Sequence, residues 1–174
     1  MKTFCLLIVL CCGLNFTAAQ KATYKIPSLK NSPTLKTDGL IQPHLNEFLK
    51  YCKQYKIEAH DKLFKLKEIA VVDTLKVTPT GGTLGMVVRN KHNDIEKIVF
   101  SWMTLIDQEI LRVVAFHEFG HYFLGYKHTC KDCSDIMAEV NPSYFEIIKD
   151  WDHHVEQLFI NSPEYKKRLE KTSQ

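Results

Sequence analysis

Three histidines and a glutamate lie close together in the stretch "HEFGHYFLGYKH", His117 to His128. His117 and His121 are four residues apart, so a helix would bring both imidazoles to one face, where they could bind a single metal ion. Glu118 would lie about 100° further round such a helix, within reach of a water on the metal but not of the metal itself. This HExxH pattern is typical of zinc sites in which the glutamate acts as a general base.

A zinc ion that takes part in chemistry needs three protein ligands and one open position. His128 is the leading candidate for the third ligand, because Gly125 lets the chain leave the helix and turn back. Glu139 is the main alternative, since it follows His121 by 18 residues and could supply a carboxylate from a later segment. His153 and His154 are weaker candidates, because a "DHH" run on an amphipathic helix is usually a solvated face.

Hydrophobic periodicity predicts the elements that must hold these residues. In order, we expect a helix over 40–56, a strand over 63–77, a hairpin of 84–90 with 95–102, a buried helix over 105–124 and a last helix over 143–160. Thr104 would cap the buried helix, which carries the HExxH pattern, and Gly125 would end it. Ile106 and Phe145 are expected among the inward-facing side chains. The order indicates a small α+β domain, with a twisted mixed sheet, a central helix that bears the site and a C-terminal helix.

The N-terminus has the layout of a secretory signal peptide. Lys2 precedes an apolar run from Phe4 to Leu14, and the small residues that follow predict cleavage after Ala19. The apolar run is about half the ~20 residues that a membrane-spanning helix needs, so a membrane anchor is the weaker interpretation. Lipid attachment at Cys11 or Cys12 is also less favoured. We therefore expect a secreted or periplasmic protein.

The expected organisation is a signal peptide over 1–19, an extended tail or short pro-segment over 20–38, a folded domain over 39–162 and a polar tail over 163–174. A formal net charge of +3 is too weak to indicate a nucleic acid or a membrane surface as partner. A monomer is expected.

Three cysteines, Cys52, Cys130 and Cys133, remain after the predicted signal peptide. Exported chains meet oxidising conditions, so we expect one disulfide and one free thiol. The disulfide would join Cys130 to Cys133 or to Cys52, and would stiffen the segment after His128. A pair of reduced, reactive thiols is the alternative.

The stretch "HEFGHYFLGYKH", followed by "SDIM", resembles the metzincin metallopeptidases, whose pattern is HExxHxxGxxH and then a tight turn with a methionine beneath the metal. The resemblance implies zinc ligands His117, His121 and His128, the general base Glu118, the pattern's glycine Gly125 and the turn methionine Met137. One departure stands out, because three residues rather than two separate His121 from Gly125. The longer spacing is similar to that of small secreted bacterial metallopeptidases.

This resemblance implies a secreted zinc endopeptidase whose extended peptide substrate pairs with an edge strand, for which "LGMVVRN" is the expected segment. Some metzincins stabilise the oxyanion with a tyrosine two residues after the turn methionine. Glu139 stands there, which leaves Tyr126 and Tyr144 as candidates. The alternatives are a zinc-binding protein without peptidase activity, an HExxH hydrolase with Glu139 as third ligand, and an amidase acting on cell-wall peptide.

Overall fold

A computed structural model describes residues 35–73, 75–78 and 81–173 of the chain. Its helices are α1 (Gln42–Gln54), α2 (His60–Lys65), α3 (Gln108–Phe119), α4 (Tyr144–Lys149), α5 (Trp151–Ile160) and α6 (Pro163–Thr172). Its strands are β1 (Lys36–Thr37), β2 (Glu68–Val72), β3 (Val77–Thr78), β4 (Gly81–Gly82), β5 (Gly85–Arg89) and β6 (Ile95–Ser101). A 3-10 helix (Trp102–Ile106) precedes α3, and a π-helical turn (Gly120–Leu124) follows it. The predicted signal peptide and most of the predicted N-terminal tail (20–38) lie outside the described residues.

The predicted α+β class is confirmed, with a mixed sheet of strand order β1-β2-β6-β5. β1, β2 and β6 are parallel, whereas β5 runs antiparallel to β6. The predicted hairpin is therefore present, and β5 lies at an edge of the sheet as expected. β3 and β4 form a separate two-stranded ribbon just before β5.

The core is built around α3, of whose 12 residues seven are buried, so this helix is central as predicted. Phe48 of α1 contacts four aromatic rings at centroid distances of 5.2–5.7 Å, which belong to Phe116, Phe119, Phe123 and Phe159. Burying one such side chain contributes about 1.5–3 kcal/mol. This cluster ties α3 to α1 and α5, and so fixes the helix that carries His117.

The prediction that Thr104 caps this helix is wrong. Thr104 lies in the 3-10 helix, where its hydroxyl donates to the Ser101 carbonyl at 2.7 Å. Asp107 is the N-cap instead, because its Oδ1 accepts from the backbone N–H groups of Glu109 and Ile110 at 2.8 and 3.2 Å. Ile106, predicted to face inward on the buried helix, instead ends the 3-10 helix before α3 and is 72% exposed.

Two further element predictions need correction. Residues 63–65 belong to α2, because the chain becomes extended only from the buried Leu66 onward. Of the described residues within the predicted strand, only Glu68–Val72 (β2) and Val77, the first residue of β3, are in strands. The predicted helix over 143–160 is two helices, α4 and α5, which are separated at Asp150 where φ and ψ are –125° and 46°. Phe145, predicted to face inward, lies on α4 and is 67% exposed.

The predicted polar tail contains a third C-terminal helix, α6. The Ser162 hydroxyl accepts from Tyr165 N–H at 3.1 Å, and Pro163 begins the helix. Glu164 forms a salt bridge with Lys62 at 3.0 Å, and Tyr165 packs against the core. This helix has little apolar surface, which is why periodicity did not predict it. Within the described part of the chain, no helix is both long and apolar enough to cross a membrane.

Candidate metal centre

The structure brings His117, His121 and His128 together. One ring nitrogen of each lies within 4.8 Å of the others, and the ring centroids are 4.6, 4.9 and 5.2 Å apart. Among the described residues, neither Glu139 nor His153 nor His154 belongs to this cluster. Of the candidates for a third ligand, the fold therefore favours His128.

Hydrogen bonds orient the two helical imidazoles. His117 Nδ1 lies 2.6 Å from the Ile136 carbonyl oxygen, and His121 Nδ1 lies 2.9 Å from the Tyr126 carbonyl oxygen. Because a carbonyl oxygen only accepts, Nδ1 must be the protonated nitrogen of each ring. The unprotonated Nε2 atoms then point at each other across 3.0 Å.

Two facing lone pairs repel unless a cation or a proton lies between them. Burial lowers the pKa of His117 to about 4 and also lowers that of His121, so both rings are neutral near pH 7. Histidine binds metal ions as a neutral imidazole: one ring nitrogen binds the metal, and the other ring N–H donates to an acceptor such as a carbonyl oxygen. The residues therefore fit a metal ion, and three nitrogens with an open fourth side fit zinc.

A π-helical turn accommodates the additional residue between His121 and Gly125. The Gly125 N–H donates to the Gly120 carbonyl, five residues earlier, and Tyr126 N–H also donates to that carbonyl at 3.2 Å. A π turn contains one residue more than an α turn. Gly125 then adopts a φ of 74°, which favours glycine, and the chain turns back so that His128 reaches the other two histidines.

The segment that carries His128 is not helical, and backbone hydrogen bonds to residues 137–139 hold it in place. Thr129 N–H donates to the Met137 carbonyl at 3.0 Å, and Glu139 N–H donates to the Cys130 carbonyl at 2.9 Å. Through this second bond Glu139 contributes its backbone to the loop, while its side chain remains exposed.

The sulfur atoms of Cys130 and Cys133 lie at disulfide distance, with their Cα atoms 6.3 Å apart. Cys52 is buried in α1 and free, and burial raises the pKa of its thiol to about 12. Of the two predicted pairings, the fold therefore favours Cys130 with Cys133.

Met137 lies in a tight turn that packs against Gly120, the first residue of the π-helical turn. Ala138 N–H donates to the Asp135 carbonyl at 3.1 Å, and Asp135 Oδ1 accepts from Met137 N–H at 2.6 Å. The Met137 side chain is 1% exposed. A Cβ at Gly120 would lie 2.5 Å from Met137 Sδ, so only glycine lets the turn approach α3 this closely.

Glu118 is a buried acid next to the histidines. Its side chain is 4% exposed, and burial raises its pKa to about 8. Within the described part of the chain, no donor forms a hydrogen bond with its carboxyl group. A carboxyl group with a pKa near neutrality is suited to accepting and releasing a proton at physiological pH.

The histidines and Glu118 line an open cleft of about 820 Å³. One wall is residues 81–87, and the other includes residues 138–141 and Tyr144. Tyr144 is therefore the remaining candidate for oxyanion stabilisation, because the Tyr126 hydroxyl donates to the Leu158 carbonyl at 2.9 Å.

Gly85, Val113 and Val114 also line the cleft, and sequence reasoning assigned them no functional role. A glycine inside the β-rich run "LGMVV" was the available signal for Gly85, because such a glycine often marks a close backbone approach. The two valines precede His117 and Glu118 by one helical turn, but apolar residues on a helix indicate only core packing. A scan against protein-family models found no match to this chain, and neither did searches of the curated proteins and of solved structures.

Proposed function

We propose that the chain is a secreted, zinc-dependent endopeptidase of metzincin type. The observation that carries the proposal is the convergence of three histidine nitrogens within 4.8 Å, beside a buried glutamate that has no hydrogen-bond partner among the described residues. Secretion rests on the predicted signal peptide and on the close Cys130–Cys133 pair.

His117, His121 and His128 would hold the zinc ion, with the Ile136 and Tyr126 carbonyls fixing the tautomers of the first two. When bound, zinc supplies Lewis acidity, which polarises a carbonyl group and makes water a nucleophile near neutral pH.

Glu118 would be the general base. Its carboxylate would accept the proton of the attacking water at one oxygen and deliver it to the nitrogen of the leaving amine. The burial that raises the pKa of Glu118 to about 8 strengthens its carboxylate as a base toward water.

The backbone of β5 supports an extended peptide as substrate. Because Ser101 N–H donates to the Leu84 carbonyl at 2.8 Å, the next residue pair, Gly85 with Phe100, is not hydrogen-bonded across the hairpin. The backbone groups of Gly85 and Val87 therefore point away from β6, where a peptide strand could pair with them. This wall of the cleft is apolar in its side chains, so main-chain pairing would dominate recognition.

The test is zinc content together with cleavage of a mixed peptide library, for wild type and for Glu118→Ala. We expect one zinc per chain in both proteins, and a fall in kcat of at least ~100-fold in the variant, since general-base catalysis typically contributes 10²–10⁴-fold. Persistent cleavage by a zinc-loaded Glu118→Ala protein would contradict the mechanism. A wild type that binds zinc but cleaves no peptide, even after its N-terminus is trimmed, would indicate a zinc-binding protein instead.

A further inference from the structure

Gly85 begins β5 and lies directly against the side chain of Glu118. A Cβ at Gly85 would lie 2.7 Å from Glu118 Cγ, 2.8 Å from Glu118 Oε1 and 2.9 Å from Val114 Cγ1. Non-bonded carbon atoms prefer a separation of about 3.5–4.0 Å. Any side chain at position 85 would therefore displace Glu118, Val114 or the strand.

The backbone at Gly85 does not itself require glycine. Gly81 and Gly125 have positive φ values, but Gly85 lies in a regular strand and is not among the residues with positive φ. The close approach of Glu118 and Val114 is what restricts this position to glycine. Glu118 in turn lacks a hydrogen bond within the described part of the chain, so packing is what orients its carboxyl group.

Building on the proposed peptidase function, we propose that Gly85 is a positioning residue for Glu118. By having no side chain, Gly85 lets the carboxyl group lie beneath the edge strand and beside the histidine nitrogens. The same residue would present its N–H and C=O to the substrate backbone. Gly85 would therefore position both the Glu118 carboxyl group and the peptide bond to be cleaved. A side chain at position 85 would turn the carboxyl group away without touching the three histidines.

The contact is tested without activity by a double-mutant cycle on the thermal unfolding of the metal-free protein. The cycle uses Gly85→Ala, Glu118→Ala and the double variant, because Glu118→Ala removes both Glu118 atoms that the new methyl group would meet. Gly82→Ala is the matched control, since a Cβ there would lie 3.9 Å from the nearest atom, an ordinary contact.

We expect Gly85→Ala to lower Tm by several degrees in the wild-type background and by at most half as much in the Glu118→Ala background. Gly82→Ala should change Tm little. Equal losses in both backgrounds would overturn the proposal, because the clash would then not involve Glu118. If Gly85→Ala does not fold, folding of the double variant supports the proposal, and failure of both overturns it.

The catalytic consequence is measured on the zinc-loaded enzyme. Gly85→Ala should lower kcat at least ~10-fold while KM and zinc content stay the same, and Val114→Ala in the same chain should restore part of the loss by giving the carboxyl group room. A raised KM with unchanged kcat would overturn the positioning role. If the wild type cleaves no peptide, the proposed function fails, whereas the contact between Gly85 and Glu118 is still decided by the Tm cycle.

Discussion

The candidate site has two halves that are held in different ways. His117 lies on α3 and His121 lies in the π-helical turn that continues it, where helical periodicity places the two rings about one turn apart. His128 is exposed and lies in a segment without regular structure. It is positioned by the π turn, by Gly125 and by backbone hydrogen bonds to the turn at Met137. The helical half is thus fixed locally, and the loop half by contacts distant in sequence.

The largest effect should come from removing the histidine of the loop half. His128→Ala should weaken zinc binding by more than the ~10–100-fold typical of losing a residue that supports a ligand, because a ligand itself is lost. Glu139→Ala should change zinc affinity little, since Glu139 is not in the histidine cluster.

Competition with a chelator gives the zinc affinities, and His153→Ala on α5 is the control for loss of a histidine elsewhere. A larger effect from Glu139→Ala than from His128→Ala would assign the third ligand to Glu139.

A smaller effect is expected at the residue that starts the loop half. Gly125→Ala places a Cβ in a left-handed conformation, with a φ of 74°, at a cost of roughly 1–2 kcal/mol. Relief of that strain would shift His128 and weaken zinc binding. Each 1.4 kcal/mol lost from the free energy of zinc binding lowers the affinity about tenfold. Titration calorimetry with zinc measures this affinity. Gly39→Ala is the control, because a Cβ there would meet nothing within 4 Å. Unchanged affinity would show that the loop is positioned independently of Gly125.

Removing the close cysteine pair should affect the loop half of the site and leave the helical half unchanged. If Cys130 and Cys133 form a disulfide, a Cys130→Ser/Cys133→Ser variant should lose up to ~10-fold in zinc affinity, with faster amide exchange at Thr129 and Glu139 but not in α3. Hydrogen exchange with mass spectrometry follows both segments. Cys52→Ala is the control, because it removes a buried thiol of the core and should lower Tm without changing zinc affinity. Exchange that rises equally in α3 would contradict the separation.

The smallest effect concerns the buried acid of the helical half. The pKa of Glu118 is raised to about 8, so the folded, metal-free protein keeps a proton that the unfolded chain has already lost above its ordinary pKa of 4.5. The stability of the wild type should therefore fall as pH rises from about 4.5 to 8. Glu118→Gln carries no such group, and its Tm should exceed that of the wild type by a few degrees at pH 8, with the difference vanishing near pH 4.5. A difference that is independent of pH would contradict this burial effect.

The elements that local patterns specify were predicted well. The apolar rows of α1 and α3, the β5–β6 hairpin and the two helical histidines of HExxH all follow from side-chain periodicity. The misassigned segments are those where long-range contacts override that periodicity. The helix α6 has almost no apolar row and is held by Ser162, Tyr165 and the Glu164–Lys62 pair.

The loop half of the site shows the same division. Sequence indicated His128 but left Glu139 open, because spacing along an irregular segment does not specify direction in space. The folded chain brings His128 to the other two histidines and leaves the Glu139 side chain outside that cluster. It likewise directs the Tyr126 hydroxyl to Leu158 and leaves Tyr144 in the cleft.

The sequence by itself predicts a pair of histidines that could hold a metal ion, with a glutamate beside them, because residues four apart on a helix share a face whatever surrounds them. Tertiary structure brings the third histidine to this pair, through a π turn that the spacing of residues along the chain did not predict. It also supplies the burial of Glu118 beneath Gly85, since two residues 33 positions apart meet only when the edge strand packs on α3. Local geometry is encoded in spacing, whereas burial and convergence exist only once distant segments pack together.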